Sequence, residues 1–227
     1  MNKQKLLHMF CMVFTINYAT AQKSCVEGRY TNTDYFLKSQ IDSLKNISYG
    51  AAHDYMGNLQ DLEMDVYFPN TDIDTQEKRP LILLIHGGGF TAGARESMSY
   101  HSKELSKRGF VTATISYRLG YNREVFGNIQ KAVYRAQQDA NTALRYIASQ
   151  KEKLKVDTSW VFIGGSSAGA ITSLSTSYAS QEEWNKIAAQ FESDLGPLES
   201  SDNSLNEIFT IKGIYNFMGA ILPVVFN

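Results

Sequence analysis

The stretch Trp160-Val-Phe-Ile-Gly-Gly-Ser-Ser-Ala-Gly-Ala170 constrains this chain more than any other. An apolar run with strand character, Trp160 to Ile163, leads into Gly165-Ser166-Ser167-Ala168-Gly169, and Ala168 to Tyr178 can continue as a helix. Strand, turn and helix in that order are the setting in which G-x-S-x-G presents its central serine on a sharp turn. Ser167 is therefore the candidate nucleophile. Gly165 and Gly169 have a steric reason to lack side chains, because strand and helix nearly touch where the chain reverses. A helix that starts just after Ser167 also aims its free NH groups at whatever the serine attacks.

The turn needs a sheet behind it, and the rest of the chain supplies strands. Pro80 to Ile85 is continuously apolar, as expected of a strand covered on both faces. Phe110 to Tyr117 is rich in Val, Ile and Thr, and Ile208 to Met218 reads as a further strand. Between them the pattern predicts a helix over Ser97 to Arg108, stopped by Gly109. A long one over Asn128 to Leu154 has apolar residues from Ile129 to Ile147 at three- and four-residue spacing. Ile47 to Gly50 and Leu62 to Phe68 read as lead-in strands. The second alternates Leu62, Met64, Val66 and Phe68 against a wet face and ends at Pro69-Asn70, which suits an antiparallel edge. A short helix is expected around Phe36 to Leu44, and Gln181 to Asn206 is polar and acidic with a break at Gly196-Pro197. Strands alternating with helices predict an α/β fold with a doubly wound, mostly parallel sheet, whose strand C-terminal ends carry the site.

A formal net charge of −1 without a basic block gives no electrostatic support for a nucleic-acid or anionic-membrane partner. Lys3 and Lys5, the apolar run Leu6 to Ile16 and Ala19-Thr20-Ala21 describe a secretory signal peptide over residues 1–21, with no membrane span. The expected organisation is this signal, a lead-in over 22–45 and one domain over 46–227, exported to the periplasm or beyond. Cys11 leaves with the signal, so Cys25 has no partner for an internal disulfide.

A second glycine motif leaves the buried strand: His86-Gly87-Gly88-Gly89-Phe90. Three successive glycines expose backbone NH groups that can hold a developing oxyanion, and donors aimed at such charge are worth about 3–4 kcal/mol each. His86 reads as a residue that fixes the loop. Gly87 to Ala92 also matches G-x-G-x-x-A, but the next strand ends in Ser116-Tyr117-Arg118 without the carboxylate a dinucleotide ribose requires. No G-x-x-x-x-G-K-[ST] occurs, and no cofactor or metal is called for.

His86-Gly-Gly-Gly-Phe90, Ser116-Tyr117-Arg118-Leu119 and Gly165-Ser-Ser-Ala-Gly169 together resemble the carboxylesterase and hormone-sensitive-lipase-like branch of the α/β-hydrolase superfamily, and are similar to exported bacterial esterases that deacylate polysaccharides. The resemblance spans about Leu62 to Met218. It implies Ser167 as nucleophile, the NH groups of Gly88, Gly89 and Ala168 as oxyanion hole, His86, Gly87, Gly165 and Gly169 as motif support, and a structural role for Tyr117 to Leu119. A small-molecule or polysaccharide-linked ester is the implied substrate. The chain departs from the pattern in one respect. In this fold the triad runs serine, acid, histidine, yet His8, His53, His86 and His101 all precede Ser167. Acidic residues such as Glu182, Asp194, Asp202 and Glu207 follow it but fall before the last readable strand. A serine without a base is a weak nucleophile. The expectation is a domain incomplete at its C-terminus, with the acid and histidine beyond residue 227; an esterase-like binding module or a non-functional fragment is the alternative.

Overall fold

The computed structural model describes residues 26–125, 127–199 and 203–220. The expected signal peptide and Asp202 lie outside them. Among the described residues six strands form one sheet: β1 (Ile41–His53), β2 (Leu59–Pro69), β3 (Arg79–Ile85), β4 (Val111–Ile115), β5 (Val156–Ser166) and β6 (Ile211–Phe217), in the order β1-β2-β4-β3-β5-β6. β4, β3, β5 and β6 are parallel neighbours, and β1 and β2 add an antiparallel edge. The helices are α1 (Ser99–Ser106), α2 (Asn128–Ser149), α3 (Lys151–Leu154), α4 (Ala168–Tyr178), α5 (Gln181–Ala188) and α6 (Gln190–Leu195). None of them is long and apolar enough to cross a membrane.

Alternation along the strands assigns the two faces. Leu81, Leu83, Ile85, Val111, Ala113, Ile115, Val161 and Ile163 point to the main core beneath α2 and α4. The intervening Ile82 and Leu84 point the other way and pack with Met98. All seven residues of β3 are buried, which is why that strand reads as an unbroken apolar run. On the second face α1 covers β2 and β4, where Thr112 Oγ1 donates to Ser102 O at 3.0 Å. Beside α1 the same face carries a groove of about 1060 Å³ lined by Ile82, Leu84, Met98, Leu105, Phe110 and Phe162.

Three local readings need correction, and one unassigned stretch gains its structure. Only Lys38–Gln40 forms a helical turn in the lead-in, and the chain from Ile41 is strand, because its ladder with β2 outweighs local preference. The outer face of β2 is not wet: Asp65 and Tyr67 are buried, Asp65 by ion pairs with Lys45 and Arg95, Tyr67 by a hydrogen bond to Ser99 Oγ. The long helix is interrupted at Gln150, and Lys155, at φ 52°, ends α3. The polar stretch after Ser180 folds as α5 and α6. Ser180 and Glu183 form a reciprocal capping box, and Trp184 and Phe191 pack edge-on against Tyr134 and tilted against each other.

Candidate active site

β5 ends at Ser166 and α4 begins at Ala168, so Ser167 alone makes the turn, at φ 51° and ψ −115°. A non-glycine residue in such a region costs about 1–3 kcal/mol and persists only where its surroundings over-determine it. They do so here. The Ser167 NH donates to Phe217 O at 2.9 Å, tying the turn to the end of β6. A β-carbon on Gly165 would stand 2.3 Å from Ile85 O, and one on Gly169 2.1 Å from the same oxygen, so strand, helix and the neighbouring β3 meet backbone to backbone. Ser167 itself is exposed. As the first residue of α4, Ala168 presents an NH with no carbonyl one turn earlier to accept it.

β3 pairs with β5 up to Ile85–Gly165, so the two glycine motifs leave the sheet side by side. A β-carbon on Gly87 would lie 3.3 Å from Ser167 Cβ. The loop then doubles back on itself: the Thr91 and Ala92 NH groups both donate to Gly88 O at 3.1 Å. Gly88, at φ 118°, leaves no room for a side chain, since a β-carbon would meet Ala92 O at 2.0 Å. Gly88 and Gly89 are exposed beside Ser167, whereas Phe90 is buried and anchors the loop.

His86 secures this loop from below. Its ring is 1% exposed and stacks on Tyr117 with centroids 4.4 Å apart and planes 18° apart. Nδ1 lies 2.6 Å from Gly87 O, a contact that requires the proton on Nδ1, while the buried Nε2 has no partner. The Tyr117 hydroxyl donates to His86 O at 3.1 Å. Burial pulls the His86 pKa below its ordinary value and pushes that of Tyr117 well above. A buried ring fixed in this way ties the start of the glycine loop to Tyr117.

Sequence reasoning left the Tyr-Arg-Leu segment without a mechanism. Arg118 wraps Asp139 of α2, its backbone NH donating at 2.6 Å and its Nε at 2.8 Å, with both side chains buried. Arg135 lies alongside; burial and then the Arg118 charge press its pKa down to about 10. From there Gly120 NH donates to Phe90 O at 2.7 Å, so this segment braces the glycine loop. The available signal was the run Arg135, Gln137, Gln138 and Asp139 among the buried residues of an amphipathic helix, since buried polar groups need partners.

The structure thus brings together Ser167, Ala168, Gly165, Gly169, His86, Gly87, Gly88 and Gly89. It does not bring a second histidine to them. His53 ends β1 at the far edge of the sheet, and His101 sits on α1 along the groove of the second face. Among the described residues no side-chain hydrogen bond engages the Ser167 hydroxyl. Several described acidic residues beyond Ser167 are occupied elsewhere: Glu183 caps α5, Glu192 accepts from Asn185, and Asp194 and Glu207 pair with Lys131 and Lys151.

Comparison with known proteins adds the family. The BD-FAE family model matches residues 64–222, which takes in both glycine motifs. Gut esterase 1 of Caenorhabditis elegans is 30% identical over 121 residues, 48% of this chain and 20% of the relative. Neuroligin-like protein glit-1 of the same organism is 28% identical over 144 residues, 62% of this chain and 19% of the relative. Among solved structures, a butyrate-bound esterase of Thermogutta terrifontis superposes with a TM-score of 0.55 at 20% identity, covering 80% of this chain and 54% of that one. Esterase B of Lactobacillus rhamnosis does so with 0.52 at 19%, covering 77% and 48%. The chain therefore spans about a fifth of the length of these curated relatives and about half of these solved esterases. A family-model match over most of the chain, on an α/β-hydrolase fold shared with these solved structures, places it in the BD-FAE family.

Proposed function

We propose that this protein is a serine hydrolase of carboxylic esters, acting on a small-molecule or polysaccharide-linked ester through an acyl-enzyme on Ser167. The observation that carries the reading is the strained, exposed Ser167 beside the Gly88–Gly89 loop. The hydroxyl oxygen attacks the ester carbonyl carbon as its proton passes to a base; the carbon–oxygen bond to the alcohol breaks and the alcohol leaves with that proton. Water then repeats the attack, the acid departs, and Ser167 recovers its proton. The NH groups of Gly88, Gly89 and Ala168 stabilise the oxyanion in both steps. The base and its acid are proposed to come from the protein beyond residue 227, because all four histidines precede Ser167 and His86 is committed to the loop. Residues 1–21 are proposed as an export signal.

The test is covalent. An activated alkyl phosphonate should label the full-length protein at Ser167, with loss of short-chain ester hydrolysis, and Ser167→Ala should remove both label and turnover. Full turnover in Ser167→Ala would sink the reading. A second reading, an esterase-like binding module, is favoured by the absence of any histidine after Ser167 in these 227 residues; a folded full-length protein that neither labels nor turns over would support it.

A further inference from the structure

The rim of the glycine loop carries a cation that the proposed chemistry does not use. Arg123 lies in the connection between β4 and α2, exposed, and its Nη2 donates to Thr91 Oγ1 at 3.1 Å. Thr91 belongs to the glycine loop itself: its NH and hydroxyl both face Gly88 O, at 3.1 and 3.4 Å. The guanidinium also sits 6.0 Å from the centroid of the Tyr121 ring, and the Tyr55 ring lies against Gly120 of the same connection. Arg123 is thus held beside the proposed oxyanion site by a hydroxyl and an aromatic face. Among the described residues no carboxylate reaches ion-pair distance of it, whereas Arg95 and Arg118 nearby are matched by Asp65 and Asp139.

An arginine needs no such anchorage merely to be solvated, and fixing a long side chain loses rotamer entropy. Its planar fork keeps N–H donors beyond the one given to Thr91, in the geometry that suits a carboxylate. Tyr121 offers flat apolar surface next to that charge. From these contacts we infer that Arg123 is a specificity-determining residue, selecting esters that carry a carboxylate on the acyl or alcohol part beyond the scissile bond. This rests on the reading of Ser167 as nucleophile.

A charge-assisted contact of this kind changes selectivity by about ten- to a hundredfold. The test uses the full-length protein and compares kcat/KM for 4-nitrophenyl hemisuccinate against 4-nitrophenyl butyrate, and for 4-acetoxybenzoate against phenyl acetate. In Arg123→Gln the carboxylate-to-neutral ratio should fall at least tenfold for one of the pairs, and Arg123→Lys should restore part of it. In the unaltered protein that ratio should shrink as salt rises. Ratios unchanged in Arg123→Gln for both pairs would overturn the inference, including the case where charged and neutral esters slow together, which marks a loop distortion. Failure of the underlying reading shows separately, as neutral-ester hydrolysis that survives Ser167→Ala.

Discussion

Ser167 occupies backbone that serine tolerates poorly, and a prediction follows from that alone. Relief of about 1–3 kcal/mol of strain, less the entropy a glycine adds to the unfolded chain, should make Ser167→Gly more stable than Ser167→Ala by about 0.5–2 kcal/mol. Denaturant midpoints at equal slope measure it. Identical midpoints would mean that the turn is not strained. His86 supports a second prediction, on pH. Burial depresses its folded-state pKa below the ordinary 6.5. Between those two values the unfolded chain binds a proton that the native protein refuses, so stability is full above about pH 6.5 and falls as pH drops towards the folded value. The slope approaches about 1.4 kcal/mol per pH unit. In His86→Gln the profile should flatten in that window; a profile unchanged by the substitution would show that His86 does not titrate as a buried neutral ring.

At the scale of elements, the site depends on how closely β3, β5 and α4 approach. Gly169→Ala puts a methyl 2.1 Å from Ile85 O and 2.7 Å from His86 O, both backbone atoms that cannot rotate aside. Overpacking typically costs about 1–3 kcal/mol, and contact with rigid backbone puts this substitution at or above the top of that range. Thermal unfolding of Gly169→Ala checks it, and an unchanged midpoint would mean that α4 stands further from the sheet than described. These contacts also explain what was legible in the sequence. β3, β5 and α4 announce themselves because burial on both faces demands apolar runs and close approach demands glycine at fixed offsets. β1 was half missed, since Ile41 to Leu44 carry no strand signal apart from their partner β2. α5 and α6 have no counterpart in the sequence reading, although Ser180 and Glu183 spell a capping box, because the apolar stripe of Trp184, Ile187, Ala188 and Phe191 lies among acidic residues. The pair Arg118–Asp139 could not be read at all: it is a contact between elements, and one chain gives no spacing for it.

At the scale of the whole molecule, the two faces of the sheet are unequal. One is sealed by α2 and α4, while the other offers the apolar groove of about 1060 Å³ beside α1, with Tyr215 and Phe217 on its β6 side. Ser167 and the glycine loop are assembled at the ends of β5 and β3, where Gly87, Gly165 and Ser166 also line this groove, yet no described residue supplies the Ser167 hydroxyl with a base. The prediction compares a polypeptide of these 227 residues with the full-length protein on a short-chain activated ester. If acid and histidine come from beyond Asn227, loss of the triad lowers turnover on the order of a million-fold, and the 227-residue polypeptide keeps at most about a thousandfold over water through its oxyanion donors. It should also bind an apolar dye at the open groove, whose lining is apolar. Turnover equal to that of the full-length protein and abolished by Ser167→Ala would place the base within these 227 residues. His101 would then be the first residue to substitute, because it lines the same groove as Ser166 and Gly87.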